Sequence, residues 1–305
     1  TDGSLYAWGD GGWGQLGQGN TTTYSSPVQI GALTTWLKAT ASYDVGGAIK
    51  TDGTLWMWGR GTGGALAQGN TDNYSSPVQV GSLTTWATLS SGYRFSLATT
   101  TDGKLYAWGY NGYGNLGTSN TTTYSSPVQV GALTTWATVA AGRQFTLAIK
   151  TDGTLWTWGR GTQGQLGSGS TANRYSPVQV GALTNWLSVA AGKYYSKAVK
   201  TDGTIWCWGE GGSGQLGQNS TTDYSSPKQV GALTTWLQVG GTYNSTLAIK
   251  TDGTLWGWGR NNSGQLGTSN TSTYNSPVQI GSLTTWYEVS DQCSTSSSVF
   301  GTIVQ

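Results

Sequence analysis

The same fifty-residue pattern occurs six times in strict register, opened each time by Thr-Asp-Gly at Thr1, Thr51, Thr101, Thr151, Thr201 and Thr251. A chain built this way folds as one small unit multiplied, because each unit buries its apolar face only against its neighbours. The 305 residues therefore count repeats rather than domains, and a single domain over 1–305 is expected. All six prolines fall in one repeat column (Pro27, Pro77, Pro127, Pro177, Pro227, Pro277). Of seventeen tryptophans, only Trp13 lies outside three columns, those of Trp8, Trp36 and the position of Tyr6.

Within a unit, "TLWTWGR" (154–160) and "FTLAIK" (145–150) alternate large and small side chains with the period of a half-buried strand. Thr-Asp-Gly between them is a tight-turn signal, so the two form a hairpin. "SPVQVGAL" (126–133) reads as a strand that starts at its proline, and "WATVAAG" (136–142) as a fourth short strand. No apolar spacing runs at helical period, and 49 glycines would weaken a helix.

Four short strands per unit with one Gly/aromatic motif per unit predict an all-β, six-bladed β-propeller. The Trp8-type side chains are expected to pack blade against blade, each burial contributing roughly 2–3 kcal/mol. The last unit lacks its own "TDG…WG" half, which the chain's opening "TDGSLYAWG" supplies. A closed ring is thus expected, the strand around Val299 pairing with that around Tyr6, since an open ring would expose sheet edges.

The segment 158–209 carries "WG…GQLG", "SPVQV", "VAAG" and "AVKTDGTIWCWG" in succession. It resembles a repeat of the regulator of chromosome condensation (RCC1-like) family, in its bacterial and viral style, and the resemblance covers essentially the whole chain. It implies a propeller of 50-residue RCC1-like repeats, six here where the best-known members have seven. The family's usual histidine column is filled by Val45, Phe95, Phe145, Tyr195, Ser245 and Thr295. That departure leaves the fold intact and sets the chain apart from the family's nucleotide-exchange members.

The chain has no histidine, which removes Ser-His-Asp and Cys-His catalysis and His-ligated zinc. Charged residues are 9% with a net charge of +2, too weak a field for a general nucleic-acid role. Cys207 and Cys293 occupy different repeat positions and read as incidental thiols. No run approaches the ~20 apolar residues of a membrane span. No catalytic residue, cofactor, metal site or membrane insertion is expected. The start at Thr1, inside a motif, suggests processing or a segment of a longer polypeptide.

With most columns fixed by packing, function should sit where exposed loops vary. Two loop sets do so. One follows "WG" and carries Trp13, Arg60, Tyr110, Tyr113, Arg160 and Arg260; the other precedes the inner hairpin and carries Tyr43, Asp44, Tyr93, Arg94, Arg143, Gln144, Lys193, Tyr194, Tyr243 and Asn244. By family analogy both sets approach one face, mildly basic and rich in the Tyr and Arg that interfaces favour. The leading expectation is a non-enzymatic interaction module that presents this face to a protein or glycan. A structural component of a larger assembly, such as a virion or surface appendage, is the alternative. A guanine nucleotide exchange factor ranks last. An extracellular or virion-surface location follows from that order, with oligomeric state left open.

Overall fold

A computed structural model describes residues 3–290 and the backbone of 301–303. The chain opens with β1 (Tyr6–Gly9) and β2 (Tyr24–Gln29), an antiparallel pair. Next come β3 (Trp36–Ser42), β4 (Val45–Lys50), β5 (Leu55–Gly59) and β6 (Tyr74–Gln79), which hydrogen-bond in sequence order as one four-stranded sheet. The described residues form five such sheets, flanked by the β1–β2 pair and by a terminal pair, Trp286–Val289 with Gly301–Ile303. The only helical element among them is a single 3-10 turn, Thr62–Gly64. This is an all-β architecture of repeated blades, as the periodicity predicts.

The Thr-Asp-Gly turn shows why the motif repeats. Gly53 has φ of +75°, and a Cβ there would lie 2.1 Å from the Thr84 carbonyl oxygen. Asp52 Oδ1 accepts from the Thr54 amide at 2.9 Å and from its hydroxyl at 2.6 Å. The Trp56 indole donates to that hydroxyl at 2.8 Å. Thr154–Trp156, Thr204–Trp206 and Thr254–Trp256 repeat the arrangement. Where the threonine is replaced by Lys104, the tryptophan becomes Tyr106 and the turn is held by a Lys104–Asp102 ion pair at 2.7 Å. The turn aspartates are thus spent on local geometry.

The proline does not begin its strand. Pro77 lies inside β6, and the β5–β6 register slips between Met57–Val78 and Gly59–Tyr74. A residue with no N–H fits an irregular ladder, so the strand starts three residues earlier than the proline suggests.

Blades are joined by tryptophan. The Trp158 indole donates to the Asn115 carbonyl of the preceding unit at 2.9 Å, and Trp58, Trp108, Trp208 and Trp258 reach Gln15, Ala65, Gln165 and Gln215 in the same way. Trp108, Trp158, Trp208 and Trp258 have no exposed surface. Each core cluster mixes consecutive units: Phe145, Leu147 and Leu155 pack with Val189, Ala198 and Trp208. The second tryptophan column sits edge-on, Trp136 meeting Trp156 and Trp158 at 6.2 and 5.8 Å. Lys50, Lys150, Lys200 and Lys250 lie 3.6–3.7 Å over the Trp56, Trp156, Trp206 and Trp256 rings.

The ends depart from the periodic expectation. Val299 lies outside the described residues, and β1 pairs with β2 alone among those described. Gly301–Ile303 pairs with Trp286–Val289, so the expected partner strand is displaced: Trp286 faces Ile303, whereas Trp236 faces Lys250. The repeat register slips by three residues there.

Trp158→Ala is expected to cost roughly 3–5 kcal/mol, the range of a core aromatic deletion. Denaturant unfolding measures it, and a loss below about 1 kcal/mol, the level of an ordinary surface change, would contradict its place in the blade interface.

Candidate functional site

The hairpin loops between the first and second strands of successive blades converge. Backbone bonds stitch neighbours together, Tyr93 N to Arg143 O and Lys193 N to Tyr243 O, both at 3.2 Å. The loops after "WG" close on the same region through Arg60 N to Asp44 O, Tyr110 N to Arg94 O, Arg160 N to Gln144 O, Glu210 N to Tyr194 O and Arg260 N to Asn244 O, at 2.8–3.0 Å. The two loop sets therefore share one face.

Arg143 stands at its centre. Nη1 donates to the Tyr194 hydroxyl at 2.9 Å and the Tyr243 hydroxyl at 3.4 Å. The guanidinium carbon lies 5.4 Å from the Tyr93 ring and 5.6 Å from the Tyr194 ring. Tyr43 meets Tyr93 edge to face at 4.6 Å. Burial works against the Arg143 charge, but Tyr194, Tyr243, Tyr43 and Tyr93 together raise its pKa. Burial also raises the Tyr43 pKa; Arg143 opposes that rise, and Tyr243, Tyr93 and Asp44 add to it. Phenols from four loops thus surround one guanidinium contributed by a fifth.

Around this centre, Arg160 Nη1 donates to Gln144 at 2.8 Å and Tyr194 at 3.2 Å, with its guanidinium 5.2 Å from the Tyr113 ring. Arg60 pairs with Asp44 at 3.2 Å and lies 4.0 Å over Trp13. Lys193 lies 4.4 Å over Tyr243, and Arg94 4.9 Å over Tyr93. Tyr43 and Arg94 take positive φ, 48° and 61°, in the side-chain-bearing loops of the cluster, where non-glycine residues rarely do. Three of the expected residues stand apart: Tyr110, Asn244 and Arg260 join through backbone only, the Arg260 guanidinium turning to Asn262 at 2.9 Å.

Two sets of residues were not anticipated. Thr62 and Thr162 accept from the Nε of Arg60 and Arg160 at 3.1 and 2.8 Å, as Asn262 does from Arg260. The signal was in the sequence as Arg followed two residues later by a side-chain acceptor. Glu210, a member of the loop set after "WG" that was not among the candidate contact residues, is the other, half-buried beside Lys193.

A family model, RCC1-like domain, matches residues 4–302. The chain belongs to the RCC1-like family. Prp20p from Saccharomyces cerevisiae, in a structure concerned with its binding to Gsp1p and histones, is similar with a TM-score of 0.85 and 18% identity, covering 100% of this chain and 79% of that one. Yeast RCC1 (Prp20) with Kap60 bound gives 0.83 and 18%, covering 100% and 77%. Human WBSCR16 gives 0.83 and 18%, covering 95% and 78%. No curated protein sequence matches this RCC1-like chain.

These findings overturn the expected order of functions, which put a module for a protein or glycan first, a virion or appendage component second and an exchange role last: they favour a regulatory role with protein partners over the glycan and virion readings. The cluster gives a physical reason on the glycan side. A sugar stacks on an open ring face, whereas Tyr93, Tyr194 and Tyr243 lie under Arg or Lys side chains and Tyr43 is turned edge-on.

Glu210 gives this face a pH signature. Burial raises its pKa, Lys193 lowers it and Asp223 adds to the rise. The folded chain holds this proton to higher pH than the unfolded chain, where the value is about 4.3. The group is therefore least costly below that value, and stability falls as pH rises through the folded pKa. Glu210→Gln is expected to raise the melting temperature near pH 7, with little change near pH 4, about the unfolded value. A lower melting temperature near pH 7 would overturn this account.

Proposed function

We propose that this RCC1-like chain is a protein-binding regulator that acts by docking a partner on the Tyr/Arg face rather than by covalent chemistry. The observation that carries this reading is the convergence of loops from successive blades on Arg143. Aromatic and arginine side chains held by one another lose little entropy on binding, which is what makes them interface anchors. The protein partners of the similar Prp20 structures, Gsp1p, histones and Kap60, favour a protein ligand. Nucleotide exchange on a partner GTPase is the form of regulation to test first. The absence of histidine is no obstacle, because nucleotide release breaks no covalent bond and needs no proton shuttle.

A closed ring of six blades is part of this proposal. The terminal pair and the β1–β2 pair are separate two-stranded sheets, and joined end to end they would give four strands in the order the other blades use. In every other unit the tryptophan bonds to a carbonyl in the preceding unit, which assigns Gln265 to Trp8. Trp8 is 45% exposed in the described structure, against 0–3% for its five counterparts.

The docking test is photo-crosslinking from a probe at Tyr113, comparing the native protein with Tyr93→Ala/Arg94→Ala. The double variant is expected to keep its melting temperature and lose the crosslinked protein, and to lose any acceleration of labelled-nucleotide release from that protein. Crosslinks unchanged in the double variant would move docking to another face. For the ring, Trp8→Ala is expected to cost roughly 3–5 kcal/mol, as a buried aromatic does. A cost below about 1 kcal/mol, typical of a surface change, would mean that the ends do not meet.

A further inference from the structure

We infer that the centre of the docking face is a carboxylate-binding site, built around Arg143 and Arg94, that receives an acidic side chain of the docked protein. This rests on the docking reading above and names the chemistry of its central contact.

The first ground is charge. Arg94, Arg143, Arg160 and Lys193 come together from successive loops, and among the described residues the three arginines have no carboxylate partner, while Lys193 has only the neighbouring Glu210. The ion pairs among the described residues are Arg60–Asp44 and Lys104–Asp102. Asp44 is thereby engaged, and Glu210, the acid beside Lys193, forms no ion pair. The groups that do contact the four cations are phenols and the Gln144 amide, neutral acceptors that orient a guanidinium without balancing its charge.

The second ground is geometry. Arg143 spends Nη1 on Tyr194 and Tyr243, while its Nε is buried with no acceptor. The Arg94 Nε is buried and unpartnered too, and its guanidinium makes no hydrogen bond among the described residues. Leaving a charged donor unsatisfied is costly, and the cost is relieved when an acceptor arrives. A guanidinium takes both oxygens of a carboxylate in parallel bonds along one of its edges. Rings of Tyr93 and Tyr194 fix the Arg143 plane, so this edge is preorganised.

The extent of the positive region favours an acidic protein side chain over a nucleic acid. Charged residues are 9% of the chain with a net charge of +2. A duplex needs a stripe of cations along its phosphates, whereas here they gather at one spot.

The test is fluorescence anisotropy with a labelled hexaglutamate peptide, hexaglutamine as control and inorganic phosphate as competitor. Hexaglutamate is expected to bind and hexaglutamine not to. Arg143→Gln and Arg94→Gln should each weaken binding on the order of tenfold, the loss of one charge-assisted pair. Arg143→Lys should lose most of the affinity, because an ammonium cannot form the parallel pair. Lys228→Gln, an exposed cation on the strand Tyr224–Gln229, should have no effect. Arg94→Gln breaks no hydrogen bond among the described residues, so it reads the site even if Arg143→Gln disturbs the fold. Affinity unchanged in both glutamine variants, an equal loss in Lys228→Gln, or displacement by phosphate as effective as by free peptide would each overturn the carboxylate assignment. If the peptide fails while Tyr93→Ala/Arg94→Ala still loses its protein crosslink, the docking face stands and this inference falls. If the peptide binds through Arg143 while the crosslink survives the double variant, the anion site stands and the docking reading falls.

Discussion

One hydrogen bond, from the indole of each Trp58-type residue to a backbone carbonyl in the preceding unit, sets the spacing of the whole molecule. It does two things that an aliphatic contact could not. The ring buries a large apolar area, and the N–H fixes the depth at which it enters the neighbouring blade. The same carbonyls of Asn115, Gln165 and Gln215 also accept from Thr146, Ser196 and Thr246, so one backbone oxygen ties two strands of the next blade. Glycine is then favoured opposite the ring: a Cβ on Gly117 would lie 2.8 Å from the Trp158 nitrogen, and φ there is +75°, with Ala67 at φ of 62° the exception in that column. Tryptophan and glycine therefore recur together, and their recurrence leaves little need for charge in the frame.

A frame held by backbone acceptors tolerates change in its loops. The carbonyl of Asn115, Gln165 or Ala65 serves equally, whatever its side chain. The same economy runs through the turns, where Thr54 and Trp56 change together to Lys104 and Tyr106, because the threonine hydroxyl is the indole's acceptor. Repeats inside one chain thus act as their own comparison set. Columns that vary in step report a contact, and columns that vary freely report exposure.

That distinction explains what could be read in advance. Strands such as Phe145–Lys150 and Trp136–Ala141 match the sequence expectation because alternation and the Thr-Asp-Gly turn agree there. Pro77 misled by one strand start, since its missing N–H is accommodated by a slipped ladder that no local pattern announces. The terminal pairing escaped for a related reason: the strand that faces Trp286 is out of register with the repeat used to locate it. At the site, the residue types and the shared face were legible from position. The central role of Arg143 was not, because its contacts reach Tyr194 and Tyr243 in other units and depend on how the blades are arrayed.

A repeated frame offers equivalent loops to one central space, and equivalent loops cannot all fill it. The chain resolves the conflict by breaking the repeat. Tyr43–Asp44, Tyr93–Arg94, Arg143–Gln144, Lys193–Tyr194 and Tyr243–Asn244 place the aromatic first in three loops, second in one and nowhere in the fifth. The loop without an aromatic supplies the guanidinium that the other loops' phenols surround. The positive φ of Tyr43 and Arg94 belongs to the same adjustment, since those two loops bend to let unlike side chains share the space. A symmetric scaffold becomes able to tell one partner from another at the positions where its symmetry is given up, and here those positions include the arginines Arg94 and Arg143, which pair with no carboxylate among the described residues.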